Sequence, residues 1–239
     1  MLNFAHRGFK SKYPENTMLA FKKAYEAKAD GIELDVHLSK DGKLVIIHDE
    51  NLLRTCGVDG LVKDFSLKEL KKLNAAVGYE GLNEEIPTLR EYFDFVKDTN
   101  LITNIEIKNG VIQYEGIEEK LYQMIKEYDL FDKVIISSFN HESVLRMKEI
   151  DKNLKYAFLE ESVLVNPIKY LKENGISCFH PLINTIDENL LEEFSKEGIE
   201  VNAWLSSKLS YNLKDCLDMD LDGIISDFPD EVGELLKNK

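Results

Sequence analysis

Short apolar segments alternate with amphipathic segments along the whole chain, and this alternation restricts the possible folds. The apolar segments are rich in β-branched and aromatic residues and are bounded by turn pairs such as Asp30-Gly31 and Asn174-Gly175, so they predict strands. The eight predicted strands are residues 2–5, 31–36, 101–107, 133–137, 154–159, 176–179, 199–204 and 221–225.

The segments between these strands have helical periodicity. Apolar residues recur at spacings of three and four between residues 117 and 128, and Asp187 is a good N-cap for a helix that stops before Gly198. Eight strands alternating with eight helices in 239 residues predict an α/β protein with a (β/α)8 TIM barrel. A doubly wound open sheet is the alternative, although the glycine-rich fingerprint of a dinucleotide fold is absent.

Two segments depart from the repeat. Residues 44–47 predict an extra strand, which the turn Lys40-Asp41-Gly42 joins to the second strand as an antiparallel hairpin. Residues 49–87, roughly, contain no clear strand–helix unit apart from a short helix near 67–70, and we expect them to form an insertion over the barrel mouth. Because this segment is too short to bury its own core, residues 1–239 are expected to form a single barrel domain.

Charge and composition exclude several classes of partner. The net charge of −14 argues against binding to nucleic acid or to an anionic membrane, because no excess of cations is present to neutralise phosphates. No signal peptide and no apolar run of membrane-spanning length is recognisable, so no stable membrane association is expected. Three scattered cysteines favour reduced thiols over a disulfide framework. These observations predict a soluble cytoplasmic protein and leave its oligomeric state open.

Polar residues stand at the ends of several predicted strands, where barrel enzymes place their chemistry. Any one of them alone is usually an ordinary solvated group, but their convergence on adjacent strand ends predicts an active site. Glu33 and Asp35 are two residues apart on one strand and therefore share a face, and the hairpin returns His48 beside them. The complete set is His6, Arg7, Glu33, Asp35, His48, Glu106 and Lys108.

The charges of this set predict a metal. Three carboxylates within ~4 Å of one another repel by about 4 kcal/mol per pair at an effective dielectric constant near 20. Arg7 and Lys108 offset part of this repulsion, and a divalent cation offsets it more directly. Ligands that are all oxygen select Mg²⁺ or Ca²⁺ over zinc. Such a site, flanked by two histidines, suits phosphoryl transfer.

Eight short motifs follow one another in order along the chain. These motifs are His6-Arg7-Gly8, Pro14-Glu15-Asn16-Thr17, Glu33-Leu34-Asp35-Val36, Lys40-Asp41-Gly42, Ile47-His48-Asp49, Leu53-Arg54-Thr55, Ile86-Pro87-Thr88-Leu89 and Glu106-Ile107-Lys108. In order and spacing, the set resembles the glycerophosphodiester phosphodiesterase family over nearly the whole chain. The resemblance implies a (β/α)8 barrel with a small insertion after the second strand. It also implies an enzyme that hydrolyses small-molecule glycerophosphodiesters to glycerol 3-phosphate and an alcohol.

The resemblance further implies a role for each residue of the set. His6 and His48 would be the general acid and base, and Arg7 and Lys108 would hold the substrate phosphate. The divalent cation would be bound by Glu33, Asp35 and Glu106. Late in the chain, Trp204-Leu205-Ser206-Ser207 stands where many relatives have Trp-Thr-Val-Asn, and Ser226-Asp227-Phe228-Pro229 resembles a Thr-Asp-x-Pro ending. Trp204 would then line the glycerol pocket, or it is simply a core aromatic residue.

Three remaining histidines are weaker candidates. His37 is placed to support the site, His141 to begin a helix, and His180 to end the sixth strand.

Two alternative functions stay open. A lysophospholipase D or phospholipase C-like lipid phosphodiesterase would need an apolar rim, for which the insertion offers apolar residues interleaved with charge: Leu61, Val62, Phe65, Leu67 and Leu70. A non-catalytic phosphodiester-binding barrel would be expected to lack a histidine or a carboxylate, and here all are present.

Overall fold

Eight parallel strands close into a barrel, because the first strand pairs with both the second and the last. The computed structural model describes residues 1–206 and 209–239. In this part of the chain the strands are β1 Leu2–His6, β2 Gly31–Leu38, β3 Leu44–Ile46, β4 Ile102–Ile107, β5 Val134–Ser138, β6 Lys155–Glu160, β7 Cys178–Pro181, β8 Glu200–Trp204 and β9 Gly223–Ser226. Among the described strands only β3 lies outside the ring, so the barrel prediction is confirmed and the open-sheet alternative is wrong.

A helix follows each barrel strand in the described residues, as the periodicity predicts. The helices are α1 Met18–Glu26, α2 Leu53–Cys56, α3 Leu67–Leu70, α4 Leu89–Val96, α5 Ile117–Tyr128, α6 His141–Ile150, α7 Pro167–Glu173, α8 Glu188–Lys196, α9 Leu213–Asp218 and α10 Pro229–Lys237. Asp187 caps α8 by accepting a hydrogen bond from the Leu190 amide at 2.9 Å. The short helices α2 and α3 belong to the insertion.

The inside of the barrel is apolar toward the start of the strands and polar toward their ends. Phe4, Ile135, Ala157, Cys178 and Ile225 form an apolar cluster in the interior. The Phe4 ring fits only because Gly31 has no side chain: a Cβ there would lie 2.5 Å from the ring. The polar residues at the strand ends therefore lie on a packed apolar layer.

The hairpin and the insertion carry a small core of their own. β3 pairs antiparallel with β2, which confirms the hairpin. The insertion does not form this core alone, because Val45 and Ile47 of the hairpin contribute to it. The buried cluster consists of Val45, Ile47, Leu52, Cys56, Val62, Leu70, Ala75 and Ile86. That the whole chain is one domain stays a prediction.

Cys56, Cys178 and Cys216 are buried and form no disulfide. In residues 1–206 and 209–239, no helix is both long enough and apolar enough to cross a bilayer.

Candidate active site

Strand register brings the predicted acids together. In the pairing of β1 with β2, His6 lies opposite Glu33, and in the pairing of β2 with β4, Asp35 lies opposite Glu106. Because side chains alternate along a strand, these residues all project into the barrel. One oxygen from each of Glu33, Asp35 and Glu106 lies within 4.8 Å of the others, and each residue is at most 7% exposed. The predicted carboxylate cluster is confirmed.

Burial and mutual repulsion change how these carboxylates bind protons. Burial, together with the neighbouring charges of Asp35 and Glu106, raises the pKa of Glu33 well above its ordinary value. Burial also raises the pKa of Glu106, although Lys108 acts in the opposite direction. Burial alone would raise the pKa of Asp35, but His48, Arg7 and Lys108 outweigh it and lower the pKa. The cluster therefore favours the approach of a positive charge.

The two histidines have the same arrangement of hydrogen bonds. His6 Nδ1 lies 2.6 Å from Asp227 Oδ1, and His48 Nδ1 lies 2.6 Å from Asp49 Oδ1. A carboxylate at Nδ1 holds the proton there in the neutral ring and leaves the Nε2 lone pair free. The two Nε2 atoms turn toward the cluster, with His6 Nε2 3.9 Å from Glu33 Oε2 and His48 Nε2 3.3 Å from Lys108 Nζ.

His6 is neutral near pH 7, as a proton acceptor must be. Burial, and after it the charge of Arg7, lowers the pKa of His6 to about 4, although Asp227 acts to raise it. A neutral imidazole with its Nε2 open to the pocket can accept a proton from a bound molecule.

The two predicted cations lie beside the cluster. Lys108 Nζ donates to Glu106 Oε1 at 2.9 Å and lies 3.8 Å from Asp35 Oδ1. The Arg7 side chain donates to Glu15 at 2.9 Å, and its Nε lies 3.5 Å from Asp35. Arg7 has a positive φ of 54°, and its amide donates to Glu33 Oε2 at 2.9 Å. This uncommon backbone conformation turns both the amide and the guanidinium of one residue toward the acids.

Glu33 and Glu106 of the cluster line a cavity of about 290 Å³, and apolar side chains form another part of its wall. The apolar wall includes Phe139, Leu159, Leu182, Trp204 and Ile225. Trp204 packs edge-on against Phe139, with ring centroids 6.0 Å apart, and its indole N–H donates to the Glu160 carbonyl. Trp204 therefore lines this cavity, and that the cavity receives glycerol stays a prediction. Ser207, the last residue of its motif, lies outside the described residues.

The weaker histidines have structural partners. His37 is buried, with Nε2 3.1 Å from the His48 carbonyl oxygen and Nδ1 3.0 Å from the Tyr114 hydroxyl, so it supports the backbone of His48. His141 begins α6, as predicted, and stacks on Phe158. His180 is buried inside the barrel.

Several residues of the site were not assigned a role from the sequence. Asp227 and Asp49 orient the histidines, Glu15 and Arg54 join Asp49 to Arg7, and Asn16 donates to Asp35 Oδ2 at 2.8 Å. All five stand inside motifs that the sequence analysis quotes. Their positions in those motifs could have marked them as functional residues, but the contacts that they make depend on the fold.

Known proteins resemble this chain over its full length. The sequence model of the glycerophosphoryl diester phosphodiesterase family matches residues 6–231. A glycerophosphodiester phosphodiesterase of Caldanaerobacter subterraneus subsp. tengcongensis is 43% identical over 238 residues, which cover 99% of this chain and 98% of that protein. Another glycerophosphodiester phosphodiesterase, from Bacillus altitudinis, is 38% identical over 232 residues, covering 95% and 94% of the two chains.

A solved structure gives the same fold with a bound product. The phosphodiesterase of Oleispira antarctica in complex with sn-glycerol-3-phosphate matches with a TM-score of 0.84 at 27% identity, covering 98% of this chain and 96% of that one.

Proposed function

The chain belongs to the glycerophosphoryl diester phosphodiesterase family and is an enzyme, and we propose that it hydrolyses glycerophosphodiesters to sn-glycerol 3-phosphate and an alcohol through a divalent cation and two histidines. One observation carries this proposal. Two carboxylate-oriented histidines open onto the same pocket as a buried cluster of three carboxylates. The binding-only alternative expects a missing histidine or carboxylate, whereas this pocket is lined by both histidines, Glu33 and Glu106, and Asp35 completes the adjoining carboxylate cluster.

The cluster fits a hard divalent cation. Its donors are all carboxylate oxygens, which suit Mg²⁺ or Ca²⁺. Asp35 Oδ1 is buried and has no hydrogen-bond partner among the described residues, and such an orphaned oxygen is costly unless a ligand satisfies it. Glu33, Asp35 and Glu106 would hold the ion, which when bound would neutralise charge that develops on the phosphate oxygens.

The other side chains then have separate tasks. Arg7 and Lys108 lie beside the cluster and would bind the phosphate group, Arg7 as a planar fork and Lys108 as a point charge. One histidine Nε2 accepts the proton of the attacking oxygen, and the other donates a proton to the departing alcohol oxygen. The apolar wall, including Trp204, would receive the carbon skeleton of the glycerol.

A coupled assay for glycerol 3-phosphate tests this proposal. The purified protein is given glycerophosphodiesters with choline, ethanolamine, serine, inositol and glycerol headgroups, in the presence of Mg²⁺ or Ca²⁺. We expect release of sn-glycerol 3-phosphate from at least one of them, because the pocket's polar groups address the phosphate that all of them share. No release from any member with either ion would contradict the proposal.

A lipid phosphodiesterase remains the second candidate, and one observation favours it. The apolar residues that the sequence offered for a rim do not all form one, because Val62 and Leu70 are buried in the insertion core. Instead, exposed apolar side chains stand on loops that follow the barrel strands, at the end of the barrel where the site opens. They include Val111, Phe139, Val163, Val165 and Phe228. Phe139 also lines the pocket, so the rim continues its apolar wall.

Substitutions in this rim distinguish the two substrates. If acyl chains bind here, changing Val163 and Val165, which are 75% and 87% exposed, to serine should raise KM for lysophosphatidylcholine by about tenfold, because apolar contact area is lost. Cleavage of glycerophosphocholine should be unaffected. Tyr25→Ser, at an exposed residue of α1, is the control. A wild-type enzyme that cleaves glycerophosphocholine but not lysophosphatidylcholine would exclude the second candidate.

A further inference from the structure

One side chain of the insertion bridges two parts of the site. Arg54, in α2, donates from Nε to Asp49 Oδ2 at 2.6 Å and from Nη2 to Asp49 Oδ1 at 3.0 Å. The same guanidinium donates from Nη1 to Glu15 Oε2 at 2.9 Å and from Nη2 to Glu15 Oε1 at 2.7 Å. A single arginine therefore makes two-pronged contacts with two carboxylates.

Each of these carboxylates contacts a residue that the proposed reaction uses. Asp49 Oδ1 lies 2.6 Å from His48 Nδ1, and Glu15 Oε1 accepts from Arg7 Nη1 at 2.9 Å. The contacts form one hydrogen-bonded chain, which runs from His48 through Asp49, Arg54 and Glu15 to Arg7. The chain links a histidine of the acid–base pair to the arginine beside the carboxylate cluster.

The other histidine is held in a different way. Asp227, which orients His6, accepts a hydrogen bond from Lys10 Nζ at 3.1 Å. Lys10 lies in the loop that follows β1, as Arg7 does, so this contact does not involve the insertion. Lysine is a point charge, whereas the planar guanidinium of arginine fixes both the distance and the orientation of a carboxylate. Arg54 of the insertion thus connects His48 to Arg7, whereas the Asp227–Lys10 contact beside His6 is made by residues outside the insertion.

Arg54 is also placed by packing. The residues around it in the insertion, Leu52 and Cys56, belong to the buried core of the insertion, while the Arg54 side chain itself is 48% exposed. Without the guanidinium, Asp49 and Glu15 would face each other as like charges, and each would lose two hydrogen bonds. Their partners His48 and Arg7 would then be free to adopt other rotamers.

We propose that Arg54 is a positioning residue for the phosphodiesterase reaction, which fixes His48 and Arg7 relative to each other by holding Asp49 and Glu15 with one guanidinium. This inference rests on the proposed function of the pocket. It gives the insertion a part in catalysis: the insertion core sets the position of Arg54, and Arg54 sets the geometry of two groups at the site.

The first test compares two arginines of equal exposure. Arg54→Ala should lower kcat by about 10–100-fold, the usual effect of losing an orienting partner, and should weaken the binding of sn-glycerol 3-phosphate measured by calorimetry. Arg90 is 49% exposed and makes a two-pronged contact with Glu127, so Arg90→Ala is the matched control and should change neither quantity. Melting temperatures are measured for both variants.

The second test separates geometry from charge. Arg54→Lys keeps the charge but cannot make both two-pronged contacts, so it should be nearly as impaired as Arg54→Ala. Millimolar guanidinium should partly restore Arg54→Ala, because the site is half exposed, and ammonium should not. If Arg54→Ala does not fold, Arg54→Lys decides alone. A fully active Arg54→Lys would overturn the proposal.

A double-mutant cycle tests the two ends of this chain, where Asp49 contacts His48 and Glu15 contacts Arg7. Asp49→Asn should mainly lower kcat, and Glu15→Gln should mainly weaken product binding. In the Arg54→Ala background, each should have little further effect, because the link is already broken. Fully additive effects would refute the inference. An Arg54→Ala enzyme within about twofold of wild type in both kcat and product affinity would refute it as well. In both cases the wild-type enzyme still turns over its substrate, so the proposed function would stay intact. An inactive wild-type enzyme would instead refute the proposed function.

Discussion

Replacing His6 or His48 by alanine is expected to lower kcat by about 10²–10⁴-fold each, the range typical of a lost general acid or base. Both rings have Nδ1 bound to a carboxylate at 2.6 Å and Nε2 facing the acidic cluster, so each is oriented for proton transfer at the same pocket. Because the two act on one bond, the double variant should be little worse than the poorer single variant. Steady-state kinetics on the best substrate of the glycerophosphodiester panel measures this effect.

The control is a third histidine with no free ring nitrogen. His141 has Nε2 2.9 Å from the Leu159 carbonyl oxygen and Nδ1 3.0 Å from the Tyr170 hydroxyl, and its ring stacks on Phe158. His141→Ala should therefore lower the melting temperature and leave kcat within about tenfold of wild type. If His6→Ala or His48→Ala retains near wild-type turnover, the role proposed for that residue is wrong.

The part of the site built on strands could be predicted from the sequence. Side-chain alternation fixes which face Glu33 and Asp35 share, and the parallel barrel brings β1, β2 and β4 side by side. Once the barrel is predicted, His6 and Glu106 must therefore lie near those acids. The hairpin adds His48 by the same local reasoning, because its turn joins it directly to β2.

The part built on loops could not be predicted in the same way. Asp227 is 221 residues from His6 in the chain, and their contact depends on ring closure between β1 and β9 and on the rotamer that Asp227 adopts. The position of Arg54 depends on how a four-residue helix packs into the insertion core, where no periodic pattern exists to guide a prediction.

Removal of the divalent cation is expected to abolish activity, with recovery on addition of Mg²⁺ or Ca²⁺. Glu33, Asp35 and Glu106 offer three buried carboxylates whose mutual repulsion a bound cation relieves. The ion should therefore also raise the melting temperature, since it binds the folded state alone. Glu33→Gln should weaken ion binding by about tenfold or more, the effect of losing a contact to the ion. Activity that persists in full with chelator would contradict the metal requirement.

The same substitution should have the opposite effect on the metal-free protein. Burial and the charges of Asp35 and Glu106 raise the pKa of Glu33. When the protein folds, Glu33 must therefore either stay charged in an unfavourable environment or bind a proton. A neutral glutamine avoids both costs, so Glu33→Gln should raise the melting temperature of the metal-free protein. It should also reduce the increase in melting temperature that metal binding produces.

Glu118 provides the matched control, because it is a buried carboxylate outside the site. It pairs with Arg146 at 2.7 Å and accepts a hydrogen bond from Ser143 Oγ at 2.6 Å. Glu118→Gln should lower the melting temperature and leave the metal-induced rise unchanged. Opposite signs at two equally buried glutamates would identify Glu33 as part of a cation site, whereas destabilisation by both would indicate that Glu33 is structural.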